Sequence, residues 1–320
     1  MLYLSAENFL EAVNHDQLMN AIEEAYAIEM AGTFNMPSRI HIDQGDNTIL
    51  YMPCFLENIF GTKVLSLFPA NVNSGLPVIS GLVILNDLKS GRPVAILDGA
   101  RLTALRTGAV GGVAIRHTAP KNAETVGLIG AGVQGYQQVL FACKARDIKR
   151  VYLYDISAEK LNTLYKQLCL ALPPVKFKIC KSVEELLVDA EIIITATPSE
   201  EPVLPDDEEI LRHKCYIGIG SYKPEMREFP RALYSLIDQV LIDTSHGLEE
   251  SGDLITPLKK GWITESQVVR FSLYLTESKN CCTKGKTTLF KTVGMALFDL
   301  VVAELIYRKA LEKSIGIMLS

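Results

Sequence analysis

Val126-Gly127-Leu128-Ile129-Gly130-Ala131-Gly132-Val133-Gln134-Gly135 is the stretch that decides the fold. An apolar run ends at Ile129, a Gly-x-Gly-x-x-Gly turn follows, and a helix-like segment continues through Ala145. In a strand-turn-helix context each glycine has a physical task. Gly130 permits the tight turn, and Gly132 lets the backbone approach a pyrophosphate whose charge meets the helix N-terminus. Gly135 lets helix and strand pack closely. An ordinary glycine turn could carry the same letters, so the neighbouring sequence has to sharpen the reading.

It does so on both sides. From Glu124 onward, apolar runs alternate with helical stretches: Val126 to Ile129, Val151 to Tyr154, Ile192 to Ile194, Tyr216 to Ile219 and Val240 to Ile242. Continuous apolar runs, in place of period-two stripes, predict a parallel sheet covered on both faces. Asp155 ends the strand after the glycine turn, about 20 residues on, where a carboxylate receives the adenosine ribose hydroxyls. Ile156 and Ser157 follow where a 2'-phosphate binder would offer Arg or Lys, so NAD is expected over NADP. A helix N-cap is the alternative role for Asp155.

Upstream the pattern differs. Leu18, Ile22, Ala25 and Tyr26 recur at helical spacing, with Gly32 where a C-cap would fall. Strands are expected at Ile49 to Met52, Lys63 to Leu67, Val78 to Leu85 and Pro93 to Leu97, with a hairpin loop over 86–91 and an antiparallel or mixed sheet. A final helix is expected over about Thr288 to Leu311, on an apolar stripe of Phe290, Val293, Leu297, Val301 and Leu305. It can return to the first domain. The expected fold is therefore α/β: a doubly wound Rossmann domain at 119–287 and a discontinuous α+β domain at 1–118 and 288–320.

Composition narrows the function. The 320 residues are 48% apolar and 22% charged, with a net charge of -5. Nothing there suggests disorder, and nucleic acid is not an expected partner. Met1 to Val13 lacks the basic and apolar regions of a secretory signal, and no apolar run approaches the ~20 residues that span a bilayer. Seven scattered cysteines form no Cys-x-x-Cys pair. They read as reduced thiols of a cytoplasmic protein, mostly filling the core. The five histidines form no metal-ligand spacing, so no metal site is expected.

Orienting a small acid for reaction requires cations on its carboxylate. Candidates are Arg39, Lys63, which begins an apolar strand, and Arg106, which lies inside an apolar helical stretch where a charge is unusual unless paired. By pattern alone the ordinary reading of each is a surface cation.

At this point a family resemblance appears. Asp98-Gly99-Ala100-Arg101-Leu102-Thr103-Ala104-Leu105-Arg106-Thr107-Gly108-Ala109 resembles a segment highly specific to the ornithine cyclodeaminase/mu-crystallin family. Thr195-Ala196-Thr197-Pro198-Ser199 and Gly220-Ser221-Tyr222-Lys223-Pro224-Glu225-Met226-Arg227-Glu228 resemble it with more latitude. The likeness runs from Met36-Pro37-Ser38-Arg39 to Thr292-Val293-Gly294. That family also holds archaeal alanine dehydrogenases and imine reductases. The resemblance implies a homodimer formed by pairing the sheet domains, with NAD(P) in the second domain. It implies that Arg39, Lys63 and Arg106 bind the substrate carboxylate and that Val293 and Gly294 border the substrate. It further implies Thr107 at the cofactor phosphates, with Val133, Gln134, Ala196, Thr197 and Ser221 as cofactor contacts. His246 to Asp253 resembles the family's segment after the last Rossmann strand, a solvated loop being the alternative. No role is evident for Cys281-Cys282 or for Lys284 to Lys286, expected as a loop.

Two departures bear on activity. Ornithine cyclodeaminases carry a catalytic Asp two residues before the proline of the loop matching Gly220 to Glu228, where this chain has Tyr222. They carry a Glu two residues before the pair that here is Met52-Pro53, where this chain has Leu50. Without those acids a buried ammonium costs several kcal/mol, which disfavours a diamine. The expected reaction is NAD(P)H-dependent reduction of a small cyclic imino acid, of the 1-pyrroline-2-carboxylate or 1-piperideine-2-carboxylate type, to the L-amino acid. Lys63 is the first candidate to protonate the imine and Tyr222 the second. The alternatives are an alanine-dehydrogenase-like reaction, ammonia release from ornithine, and a non-enzymatic NAD-binding role.

Overall fold

The computed structural model describes residues 1–277 and 285–319. The chain divides into two compact units, Met1–Arg106 with Met295–Ser320, and Thr107–Gly294. Both boundaries differ from the expected ones. The first falls inside the helix Gly99–Thr118 instead of after it, and the second falls at 294/295 because Thr288–Lys291 is a strand.

In the first unit, β1 (Leu2–Leu4), β2 (Ile40–Gln44), β3 (Asn47–Phe55), β4 (Ile59–Leu67), β5 (Ile79–Asp87) and β6 (Pro93–Asp98) join the C-terminal strand Ile317–Met318 in one mixed sheet. Among the described residues only the β1–β6 pairing in this sheet is parallel. The period-two alternation of strands gives the sheet two unlike faces. Met52, Lys63, Val83 and Leu97 are Cα partners in one row and all are buried. Ile40, Tyr51, Val64 and Leu82 form the next row, on the opposite face, with Ile40 54%, Tyr51 37% and Leu82 45% exposed.

One long helix lies against the buried side and a second packs on it. His15–Ala31 starts at an Asn14–Gln17 capping box and stops at Gly32, whose φ of 67° suits a left-handed C-cap. The C-terminal helix, Ala296–Lys313, packs on it and on β3, β4 and β5, with Tyr26 and Phe298 meeting edge to face at 5.1 Å. Fully buried side chains such as Leu18, Ile22, Leu297 and Ile306 each contribute about 1.5–3 kcal/mol. The expected helix from Thr288 is thus shorter by eight residues at its start. Phe290 belongs to a strand, and Val293 and Gly294 lie between strand and helix.

In the second unit, β7 (Thr125–Ile129), β8 (Arg150–Tyr154), β9 (Lys176–Ile179), β10 (Ile192–Thr195), β11 (Cys215–Gly218), β12 (Val240–Ile242), β13 (Val268–Arg270) and β14 (Thr288–Lys291) form an all-parallel sheet in the order β13-β12-β14-β11-β10-β7-β8-β9. The strand order reverses between β7 and β10, and open α/β sheets bind ligands outside the carboxyl ends of strands at such a switch point. β7 and β10 to β12 are fully or almost fully buried, and β8 is buried over Val151 to Leu153, as their continuous apolar runs predict. The segment His246 to Asp253 is not a solvated loop: it forms one short helix and begins another, and Ser251 and Asp253 are buried. Cys54, Cys180 and Cys215 are buried, with Cys143 and Cys169 partly so. Cys281, Cys282 and Lys284 lie outside the described residues.

Candidate functional site

In the first unit, β4 carries Lys63 at its middle, not at its start as the apolar run suggested. Ile59 to Thr62 are already in the strand, where Gly61 masks the pattern. The pleat points Lys63 to the buried face, where it is 2% exposed. The helix Gly99–Thr118 brings Arg106 to the same place. Between them stands Asp299 of the C-terminal helix: Lys63 Nζ donates to its Oδ2 at 2.8 Å and Arg106 Nε to its Oδ1 at 2.9 Å. Burial alone would raise the Asp299 carboxyl, but Arg106 and Lys63 hold it below its ordinary value. Burial, with repulsion from Arg106 and Arg39, brings Lys63 down to about 8 against the opposing pull of Asp299. Arg39, just before β2, is therefore within electrostatic reach of Lys63. Asp299 escaped the sequence reading, although an acid within Leu297-Phe298-Asp299-Leu300 is as anomalous as Arg106 in its helix.

Two buried cations share that one carboxylate, so the cluster carries surplus positive charge suited to a small anion. Its neighbours on the sheet face are apolar. Leu50 pairs with Leu65 two rows from the Met52–Lys63 pair, on the same side of the pleat. Where a second acid would receive an ammonium, this sheet offers leucine.

In the second unit the glycine turn has the shape a dinucleotide pyrophosphate needs. Gly130 has φ 110°, and a Cβ there would stand 2.5 Å from the Ala196 carbonyl oxygen. At Gly135 a Cβ would lie 2.1 Å from the Gly130 carbonyl oxygen, so helix and strand touch through backbone. At Gly132 nothing lies within 4 Å, and no side chain caps the helix Val133–Ala145 that begins there. Its first amides are thus open to an anion. Asp155 accepts the Ala131 N–H at 2.6 Å on Oδ2 and the Ser157 N–H at 2.7 Å on Oδ1. It is not the cap of the next helix, a role Ser157 takes.

The remaining expected cofactor contacts divide. Val133 is exposed at the turn, and the buried Oε1 of Gln134 has no hydrogen-bond partner. The Thr107 carbonyl accepts from Gln138 Nε2 at 2.9 Å. Ser221 is fully buried, and its hydroxyl is spent on the Met226 carbonyl and on Ser251. That engagement leaves its side chain no obvious hold on a ligand. Tyr222 is 44% exposed, with its phenol pushed up by partial burial and by the charge of Glu225. Val293 and Gly294 donate their N–H groups to Asp243, which also accepts the Thr292 hydroxyl. Asp243 and Glu228, both buried acids that organise loops, were likewise not singled out in the sequence. Among the described residues no cluster of His, Cys, Asp and Glu could hold a metal, and no helix is long and apolar enough to cross a membrane.

Comparison with known proteins agrees over the whole chain. The pattern defining the ornithine cyclodeaminase/mu-crystallin family matches residues 2–314. A Delta(1)-pyrroline-2-carboxylate reductase of Bacillus cereus is 32% identical over 99% of this chain and 98% of that protein. The structure of the Thermococcus litoralis Delta(1)-pyrroline-2-carboxylate reductase in complex with NADH and L-proline matches with a TM-score of 0.93 at 31% identity, covering 100% of both chains. An archaeal alanine dehydrogenase dimer with bound NAD matches with a TM-score of 0.91 at 27% identity, over 100% of this chain and 99% of that one. A shared glycine turn would produce a likeness confined to the second unit, whereas these matches extend through the sheet and helices that carry Lys63, Arg106 and Asp299: the chain belongs to the ornithine cyclodeaminase/mu-crystallin family.

Proposed function

We propose that this protein is an NADH-dependent imine reductase that converts a small cyclic imino acid of the 1-pyrroline-2-carboxylate type to the L-amino acid. The observation that carries the reading is the buried cluster of Lys63, Arg106 and Asp299 beside Leu50 and Leu65. It suits a carboxylate attached to an apolar ring and offers no partner for a side-chain ammonium. The names of the relatives and the proline bound to the Thermococcus litoralis enzyme support the same substrate class.

Reduction of the C=N bond takes a hydride at carbon and a proton at nitrogen, and bound NADH supplies the hydride. The chain's own residues do the rest. Arg106 and Arg39 hold the carboxylate, and Lys63 both completes that hold and carries a proton at Nζ. With its pKa brought down to about 8, Lys63 is a stronger acid than an ordinary lysine and releases the proton more readily. The exposed Tyr222 is the second candidate donor. In the other unit, Gly132 and the open amides after it receive the pyrophosphate, and Asp155 receives the ribose while repelling a 2'-phosphate. Ile156, 95% exposed next to Asp155, offers the adenine an apolar surface.

The first unit also has a sheet face that is too apolar for water. Ile40, Tyr51 and Leu82 share one row, with Ile42 further exposed on β2 on the same face. A second copy of the chain covering this face makes the protein a homodimer, and the similar archaeal alanine dehydrogenase is itself a dimer.

A substrate panel separates this reading from its rivals. NADH oxidation with 1-pyrroline-2-carboxylate, but not with pyruvate plus ammonium, supports imine reduction. Preference for pyruvate and ammonium would indicate an amino acid dehydrogenase. Ammonia release from ornithine without net change in NADH would indicate a cyclodeaminase.

A further inference from the structure

Two loops leave the carboxyl ends of β10 and β11, and one buried carboxylate ties them together. Glu228 is fully buried. Its Oε1 accepts both the backbone N–H and the hydroxyl of Thr197, each at 2.8 Å, and its Oε2 accepts the Gly220 N–H at 2.8 Å. Thr197 in turn leans on the glycine turn: a Cβ at Gly130 would lie 3.2 Å from the Thr197 methyl as well as against the Ala196 carbonyl. The loops are pressed so closely that a Cβ at Gly220 would stand 2.0 Å from the Thr197 carbonyl oxygen.

Behind Glu228 stand two more buried charges. Asp253 Oδ1 accepts the N–H of Glu228 at 2.8 Å and of Phe229 at 3.1 Å. Its Oδ2 faces Lys291 Nζ of β14 at 3.6 Å, and neither of those two atoms has a hydrogen-bond partner among the described residues. Burying a carboxylate costs several kcal/mol, so a glutamate here needs a reason that a neutral residue would not meet. The donors supply it. Three converge on the two oxygens of Glu228, and an amide has one oxygen only. In either orientation its NH2 would face a donor.

We propose that Glu228 is a positioning residue of the cofactor site: it holds Thr197 and Gly220 so that the loop after β10 stays closed on Gly130, while Asp253 and Lys291 fix Glu228 from behind. The assignment rests on the NADH reading above. It predicts that the pyrophosphate turn loosens when Glu228 loses one acceptor, even where size and shape are kept.

The test compares wild type with Glu228→Gln and Asp253→Asn. NADH affinity is read by fluorescence titration, and amide hydrogen exchange is read over 196–203 and 219–228 in cofactor-free protein. For Glu228→Gln the Kd for NADH rises about tenfold, as loss of one hydrogen bond to a charged group implies. Exchange quickens in both loops, and the KM for the imine is unchanged. Asp253→Asn keeps both Oδ1 bonds and moves the same readouts less. Unchanged NADH affinity in Glu228→Gln overturns the proposal, as does exchange that rises evenly over the whole unit. Should that variant not fold, Thr197→Val removes only the hydroxyl bond, and an unaltered Kd for NADH in it is equally contrary. Wild type that binds NADH but reduces no imine would sink the functional reading while leaving the affinity comparison valid.

Discussion

Lys63 keeps a charge on the core face of a mixed sheet because Asp299 lies 2.8 Å away, and on the proposed reading a substrate carboxylate shares the load. Its depressed pKa of about 8 gives two consequences with fixed signs. Between about 8 and the ordinary lysine range the unfolded chain binds the extra proton. The Lys63 contribution to stability therefore rises with pH across that window and is unfavourable below it. Activity runs the other way: kcat/KM falls as pH climbs through about 8, since deprotonated Lys63 neither binds the carboxylate nor donates. Asp299→Asn removes the charge that raises Lys63, so the basic limb moves to lower pH, and stability drops by about 3–5 kcal/mol as a broken buried pair implies. A pH–rate profile with a denaturation curve checks both. A limb that stays in place would detach Lys63 from it. Lys63→Ala lowers kcat/KM by at least about 100-fold, the usual worth of a general acid, and turnover left intact would remove Lys63 from the chemistry.

At the scale of elements, the glycine turn makes a sharp demand. Gly130→Ala places a Cβ 2.5 Å from a backbone oxygen at φ 110°, so the variant loses NADH affinity while the Lys63–Asp299 cluster in the other unit is untouched. Fluorescence titration with NADH reads the loss, and wild-type affinity would contradict the turn's role. The same turn shows what the sequence could disclose. β7, β8, β10, β11 and β12 were legible because parallel, doubly covered strands need continuous apolar runs. β14 was not, since Thr288-Leu289-Phe290-Lys291 carries Phe290 at a spacing that continues the stripe of the helix after it. Its true place is shown only by long-range pairing with β11 and β12. β2 (Ile40-His41-Ile42-Asp43-Gln44) and β9 (Lys176-Phe177-Lys178-Ile179) interleave polar residues and so lacked the continuous apolar runs that marked the others. Lys63 and Arg106 were readable as misplaced charges, whereas Asp299, their buried partner, was overlooked inside an apolar helix. Glu228 gave no local signal: its three donors come from residues 8 and 31 positions away.

Over the whole molecule, we assign two tasks to two compact units: a carboxylate clamp with an apolar sheet face in one, and a dinucleotide turn at a switch point in the other. The sheet face makes a prediction of its own. Ile40→Glu with Leu82→Glu places two charges in the exposed row, so light scattering reports a monomer mass for the variant and a dimer mass for wild type. Equal masses would move the subunit contact elsewhere. The most direct test of the account is a comparison of NADH oxidation with 1-pyrroline-2-carboxylate and with 1-pyrroline, which lacks the carboxylate. The account predicts rapid oxidation with the first and a kcat/KM lower by about 10⁴ with the second, because a site built to pair a polar group rejects the analogue without it. Comparable rates with the two imines, or none with either, would contradict it.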